Sequence, residues 1–277
     1  MRKQIPECSI IIPVFNKWEL TRNCLASLRE HSSGHDLEII VVDNGSSDAT
    51  APELASYGTG LFGARFGAIV FSENRNFGPA CNAGARAATS PVLFFLNNDT
   101  LATPGWLPPL LTGLDGLGCG ALGPVLLYED GTVQHMGVTY GTRGPSHLYQ
   151  HFPPDHPVVS RKRELQGITG AALMIRADIF RECGEFYEGY RNGFEDLELC
   201  VQIRRKGGRL RCLASSRMFH LESQTPGRKD GDAANGDIFA KRCGDAVYTD
   251  IHHHALRDGF SFFITDLLTV SAKLQEK

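Results

Sequence analysis

The residues best able to do chemistry lie where apolar runs stop. Val92-Leu93-Phe94-Phe95-Leu96 ends abruptly at Asn97-Asn98-Asp99-Thr100. An acid just beyond a buried strand reads first as part of a turn. It also suits a hard divalent cation, Mg2+ or Mn2+, which takes one or two carboxylates and completes its shell with phosphate and water. Such an ion acts as a Lewis acid toward a departing diphosphate. Leu37-Glu38-Ile39-Ile40-Val41-Val42 ends at Asp43-Asn44-Gly45-Ser46. Asn-Gly favours a tight turn, and a carboxylate there can accept the N–H of a pyrimidine base. Phe194-Glu195-Asp196-Leu197-Glu198-Leu199-Cys200 sets adjacent acids at the start of an amphipathic pattern. They complement a helix dipole, worth about 0.3–1 kcal/mol, or supply a general base for a hydroxyl nucleophile. Adjacent acids shift each other's pKa, which suits that role. His220 follows the strand-like Arg217-Met218-Phe219. A lone histidine is either structural or a metal ligand.

These residues need a scaffold, and the first half of the chain supplies one. Apolar runs Ser9–Ile12, Leu37–Val42, Ala68–Phe71 and Val92–Leu96 alternate with helical patterns at Trp18–Arg29, Asp48–Tyr57 and Pro79–Ala88. Strands apolar throughout are covered on both faces, as in parallel sheets. Alternation with short loops predicts a doubly wound α/β sheet, whose ligands bind beyond the carboxyl ends of the strands. All four runs end in ligand-ready residues: Phe15-Asn16, Asp43-Asn44, Glu73-Asn74-Arg75-Asn76 and Asn97-Asn98-Asp99. In the second half, Ala121–Leu127 and Ala171–Ile175 read as strands, and Asp178–Glu182 and Asp196–Lys206 as helices. Tyr140–Ser160, rich in Gly, Pro and His, reads as a long functional loop. Phe260–Leu268 reads as a packed or interfacial helix.

Other motifs carry less. Gly58–Gly63 and Gly118–Gly123 both spell GxGxxG, but a dinucleotide site must follow a strand and open a helix. Both precede a strand instead. His252-His253-His254 reads as a polar surface cluster. A net charge of −3 gives no basic face for nucleic acid. The run Arg204-Arg205-Lys206 reads as the cationic end of a helix, with anionic lipid headgroups or a phosphorylated acceptor as the alternative. Eight scattered cysteines without a CxxC pair suggest free thiols and a reducing, cytoplasmic setting. No signal peptide is evident at Met1-Arg2-Lys3-Gln4, and no stretch reaches the roughly 18 apolar residues of a membrane span.

In order and spacing, the chain resembles the family 2 glycosyltransferases, in particular the bacterial polysaccharide and rhamnosyltransferase-like enzymes. The matching stretches are Ser9–Asn16, Val41–Asp48, Asn74–Gly84, Leu96–Asp99, Gly167–Ala172, Phe194–Cys200 and Phe219–Glu222. The resemblance implies the GT-A fold, a Rossmann-like, mostly parallel sheet flanked by helices. It implies a glycosyltransferase domain over residues 1–225, binding the nucleotide through about 8–100 and the acceptor through 101–225. A helical extension over 226–277 would follow. It further implies an inverting hexosyl or deoxyhexosyl transfer from a nucleoside-diphosphate sugar, UDP-linked first and dTDP-rhamnose next. The acceptor would be a glycan, lipid-linked or protein hydroxyl, and the enzyme would be cytoplasmic or peripheral at the inner membrane face. By position, Pro13, Phe15, Asn16 and Asp43 would hold the nucleoside with Arg75 nearby. Asn76, Gly78, Asn82, Asn97 and Asn98 would line the nucleotide sugar. Asp99 and His220 would hold the divalent cation, Asp196 would be the base, Glu195 its neighbour and Glu198 its supporting partner. One departure matters: Asn97 stands where the family's DxD metal motif has its first acid, leaving fewer carboxylates for the metal. A non-catalytic nucleotide-sugar-binding homologue, or one module of a larger transferase, is the alternative.

Overall fold

The computed structural model describes residues 5–116, 120–221, 232–264 and 270–274. The early apolar runs become β1 (Cys8–Val14), β2 (Leu37–Asp43), β3 (Phe66–Val70) and β4 (Val92–Leu96). Between them lie α1 (Trp18–His31), α2 (Thr50–Phe62) and α3 (Phe77–Ala87). The four strands are parallel in the order β3-β2-β1-β4. Their order switches direction at β1, which opens a crevice above its carboxyl end.

The isoleucine run of β1 shows why these strands are apolar throughout. Successive side chains point to opposite faces. Ile10 and Ile12 pack with Cys24, Leu25 and Leu28 of α1, while Ile11 packs with Cys81 and Ala85 of α3. All three isoleucines are fully buried. The small residues of α3 permit a close approach: a Cβ at Gly84 would collide with Cγ2 of Ile11.

The second half completes the sheet through antiparallel insertions. It comprises β5 (Thr100–Ala102), α4 (Leu107–Gly116), β6 (Ala121–Leu127), β7 (Val133–His135), β8 (Val138–Gly141), β9 (Gly144–His147), β10 (Ala172–Arg176), α5 (Ala177–Glu182), α6 (Glu195–Arg205) and β11 (Leu210–His220). The sheet runs β3-β2-β1-β4-β10-β6-β11-β5, with β7 also on β6. β10 enters antiparallel between β4 and β6, with Ala172 opposite Leu96. Its amino end therefore lies beside the carboxyl end of β4. That single reversal delivers residues 169–171 to the Asn97–Asp99 turn.

Three expectations are corrected. Residues 140–160 are not a featureless loop: β8 and β9 pair as a hairpin, and the turns beyond are anchored by Leu148, Val158 and Val159 packed on Val125, Leu127 and Val133. The apolar Phe260 segment is a strand, because its alternation suits a pleat as well as a helix. It forms β12 (Phe260–Ile264), antiparallel to β13 (Val270–Leu274), so among the described residues the extension's α-helices are α7 (Asp232–Cys243) and α8 (Ile251–Arg257); residues 265–268 lie outside the described residues. Third, His254 is buried against Asp250, whereas His252 and His253 are exposed.

The extension is tied to the core by charge. Asp258, 4% exposed, accepts hydrogen bonds from Arg163 Nη2 (2.5 Å), Arg161 Nη1 (3.2 Å) and Tyr149 Oη (2.6 Å). These contacts hold its carboxyl below the ordinary range against the opposing effect of burial. Seven cysteines are free thiols, and Cys119 lies outside the described residues.

Candidate active site

The carboxyl ends of β1 and β2 are braced to each other before any ligand arrives. Asn16 and Lys17 take left-handed backbone angles at the end of β1. The Asn16 amide donates to Ser46 Oγ (2.7 Å), and Asn16 Oδ1 accepts from Ser47 N (2.8 Å). Pro13 is half-buried within β1, and Phe15 is 36% exposed at the crevice rim. Asp43 is 1% exposed. Its Oδ1 accepts from Ser46 N (2.9 Å), while its buried Oδ2 accepts no hydrogen bond among the described residues. A buried acceptor without a donor is costly, and a base N–H would satisfy it.

Asn44, next along, braces the following loop. Its Nδ2 donates to Asn74 Oδ1 and Asn76 O, and its Oδ1 accepts from Arg75 N. Asn76 thereby holds φ 69° and ψ 179°, a region that costs a side chain about 1–3 kcal/mol. Arg75 is exposed, its guanidinium 4.7 Å from the Phe71 ring centre. Gly78 leaves room for neighbours: a Cβ there would stand 3.5 Å from Cγ of Glu195. Asn82 is occupied internally. It clamps residues 186–188 onto α3 through Phe186 N, Phe186 O and Glu188 Oε1.

At the end of β4, Asn98 Nδ2 donates to Thr21 Oγ1 (2.9 Å), which pins the turn to α1. Asp99 and His220 meet beyond it, Oδ1 to Nε2, at 3.1 Å. They are 8% and 5% exposed. Asn97 Nδ2 stands 3.4 Å from the same nitrogen. His220 is oriented by Gln134, a residue without a sequence signal of its own. Gln134 Nε2 donates to His220 O (2.9 Å), so its Oε1 faces His220 Nδ1 at 2.6 Å and must accept a proton from it. With Nδ1–H committed, Nε2 meets Asp99 either through a proton or through a shared cation. A hydrogen bond of this kind at Nδ1 is what fixes the ring when an imidazole ligates a metal through Nε2. An imidazole is a softer donor than Mg2+ ordinarily recruits, so Mn2+ fits the pair better. No cluster of three or more His, Cys, Asp or Glu side chains with metal-ligating geometry occurs among the described residues. The protein therefore offers two such donors, and phosphate and water would complete the shell.

The acids opening α6 diverge. Glu195, 2% exposed, turns under the first turn of α3 near Gly78, where the helix dipole favours a negative charge. Asp196 is half-buried and faces residues 169–171. Its Oδ2 accepts from Gly170 N (2.7 Å) and its Oδ1 from Leu197 N (2.8 Å). Each oxygen keeps a lone pair for an incoming hydroxyl. The approach at Gly170 is close, since a Cβ there would sit 3.1 Å from that of Asp196. Phe194, just before, is held at φ 74°, a strained angle for a bulky residue. Glu198 makes its hydrogen bonds on the other side of α6's packing, toward α7. It forms a bidentate pair with Arg242 (2.7–3.0 Å) and accepts from Tyr190 Oη, tying α6 to α7. Arg204 and Arg205 are likewise taken up by Ala246 O and Asp245.

The strand ends thus carry a buried carboxylate oxygen at Asp43, an N/O pair at Asp99 and His220, and a carboxylate at Asp196. Residues 9–184 match the family model described as Glycosyl transferase family 2. The chain belongs to glycosyl transferase family 2. This family 2 chain is 30% identical to the O-antigen biosynthesis protein RfbC of Myxococcus xanthus over 226 residues, covering 79% of the chain and 17% of RfbC. It thus spans well under a fifth of that relative. Among solved structures, it resembles mannosyltransferase PcManGT from Pyrobaculum calidifontis, in complex with GDP-Man and Mn2+ (TM-score 0.66, 17% identity, 91% of this chain and 69% of that one). It also resembles GalNAc-T7 with UDP, GalNAc and Mn2+ (TM-score 0.64, 18% identity, 79% and 44% covered). At such identities the likeness is one of fold, that of the GT-A glycosyltransferases. Among the described residues, no helix is long and apolar enough to cross a membrane.

Proposed function

We propose that this family 2 glycosyltransferase is inverting and moves a sugar from a nucleoside-diphosphate sugar to an acceptor hydroxyl, with Asp196 as general base. One observation carries the reading. The antiparallel entry of β10 bonds Ala171 O to Asn97 N in the turn that carries Asp99, one residue from the Gly170 N–H that holds Asp196. That connection supports a base and a diphosphate site on either side of the anomeric carbon. Asp43 Oδ2 receives the N–H of the base, and Phe15 covers the nucleoside at the rim. A cation held by Asp99 and His220, Mn2+ in preference to Mg2+, would offset charge developing on the leaving diphosphate. Asp196 takes the acceptor proton as its oxygen attacks from the face opposite the leaving group. Holding both substrates in one crevice supplies much of the rate through orientation. The solved neighbours with UDP or GDP-Man support a nucleotide-sugar donor. A uracil or thymine ring suits the single acceptor at Asp43. The acceptor is a hydroxyl of a glycan, lipid-linked or protein molecule.

A thermal-shift and hydrolysis panel of UDP-, dTDP- and GDP-sugars with Mn2+ tests this. One nucleotide series is expected to stabilise the protein and release its diphosphate. No response to any donor would sink the enzyme reading. Asp196→Asn is expected to bind donor but lose transfer by roughly 100-fold or more. Near-normal turnover would remove Asp196 from the role.

A further inference from the structure

We infer that His135 is a positioning residue for the general base, acting through Thr169 and Gly170, with its tautomer set by His147. The inference rests on Asp196 being that base.

His135 is 1% exposed and closes β7, directly after the Gln134 that orients His220. Its Nε2 accepts the Thr169 N–H at 3.2 Å. Cys212 Sγ lies 3.6 Å from the same nitrogen. Burial pushes that thiol far up, so it keeps its proton and donates. Nε2 therefore carries a lone pair. The other nitrogen, Nδ1, stands 2.6 Å from Nδ1 of His147. Two nitrogens that close must share one proton. A neutral His135 with a bare Nε2 carries its proton on Nδ1, so His147 Nδ1 accepts. Burial first, and then the neighbouring His147 and His220, hold the His135 pKa well below its ordinary value. The ring stays neutral and its donor and acceptor ends are fixed.

The consequence lies one residue along. Thr169 N is held by His135, Gly170 N by Asp196 Oδ2, and Ala171 N by Thr169 Oγ1 at 3.2 Å. The Ala171 carbonyl accepts from Asn97 N (2.9 Å), and among the three N–H groups of residues 169–171 that of Thr169 is the one held by a side chain other than Asp196 or the turn's own. The Gly170 position abuts Asp196 Cβ, so a shift of Thr169 is passed to the carboxylate. β7 thereby sets both halves of the site, His220 through Gln134 and Asp196 through His135.

Two variants separate the acceptor from the bulk. His135→Asn keeps a donor toward His147 but offers nothing to Thr169 N. His135→Gln places Oε1 near the lost Nε2. With the nucleotide sugar selected by the donor panel, His135→Asn is expected to lower kcat roughly 5- to 100-fold through a displaced base, at a donor KM within about twofold. His135→Gln is expected to restore kcat to within about threefold of wild type. Equal losses in both variants, or a donor KM rising in step with the fall in kcat, overturn the inference. Asp196→Asn is assayed alongside. If it is inactive while His135→Asn is normal, only the positioning role fails; if it is active, the base assignment fails. Long-range 15N–1H spectra of the wild-type protein give a readout free of turnover and of variant folding. They are expected to show His135 protonated at Nδ1 and His147 at Nε2, and the opposite tautomers would overturn the assignment.

Discussion

Gln134→Leu isolates the orientation of His220 from the ligand itself. The substitution keeps the side-chain volume in a 3% exposed position and removes two hydrogen bonds, to Nδ1 at 2.6 Å and to the His220 carbonyl at 2.9 Å. Without its acceptor, the imidazole proton moves to Nε2, where Asp99 Oδ1 waits 3.1 Å away. A cation then has to displace a charge-assisted hydrogen bond, worth about 1.5–3 kcal/mol. That converts to a roughly 10- to 150-fold loss of Mn2+ affinity, in line with the 10- to 100-fold typical of second-shell changes. Electron paramagnetic resonance titration of Mn2+, with the nucleoside diphosphate chosen by the donor panel present, measures it directly. Gln134→Glu keeps an acceptor for Nδ1 and is expected to stay within about threefold of wild type. A folded Gln134→Leu protein with Mn2+ affinity within twofold of wild type would refute the reasoning.

Gly170→Ala sets a methyl 3.1 Å from Asp196 Cβ and is expected to lower kcat about tenfold through a displaced base; an unchanged kcat would show that the contact relaxes freely. Arg242→Met leaves the 4% exposed Glu198 with Tyr190 for company. Because the Arg242 side chain is itself 40% exposed, the expected loss is held to about 2 kcal/mol, or roughly 4–8 °C in Tm, with turnover retained below the transition. A fall in activity without a fall in Tm would place Glu198 in the chemistry after all. The depressed pKa of His135 gives a pH signature. The unfolded chain binds a proton near pH 6.5 that the folded protein refuses, so this contribution to stability is complete above that pH and is lost as pH falls below it. Urea midpoints at pH 7.5 and 5.5 should therefore separate more for wild type than for His135→Gln, and equal separations would contradict the buried neutral ring.

Legibility in the sequence followed locality. β1, β2 and β4 announced themselves because both faces are covered, leaving no polar interruption until the ligand crevice begins. Asp43, Asp99 and Asp196 were readable for the same reason, each an acid where an apolar pattern stops. The antiparallel place of β10 was not readable, since its partners β4 and β6 are set by long-range pairing and its own residues are apolar whichever way it runs. The β8–β9 hairpin was hidden by its composition, Gly-Pro-Ser-His in a half-exposed strand. Gln134 and His135 gave no signal because each acts on a residue more than 30 positions away. Asn82 and Glu198 were read as site residues on the strength of a family pattern. Their hydrogen bonds are spent on a loop and on α7, which shows that a motif position can serve the scaffold that carries the chemistry.

The Asp258 clasp bears on where such a protein can be cut. The family model matches residues 9–184, a stretch that ends before Asp196, before the whole of β11, and before the carboxylate that neutralises Arg163. A polypeptide ended at residue 257 would keep Asp99, Asp196 and His220 and still leave the buried Arg163 with two carbonyl acceptors but no carboxylate, at a penalty of up to about 3–5 kcal/mol. The stretch the family model matches is therefore shorter than the one these contacts join. Anyone transplanting this catalytic cassette into another enzyme has to carry its sequence through residue 258.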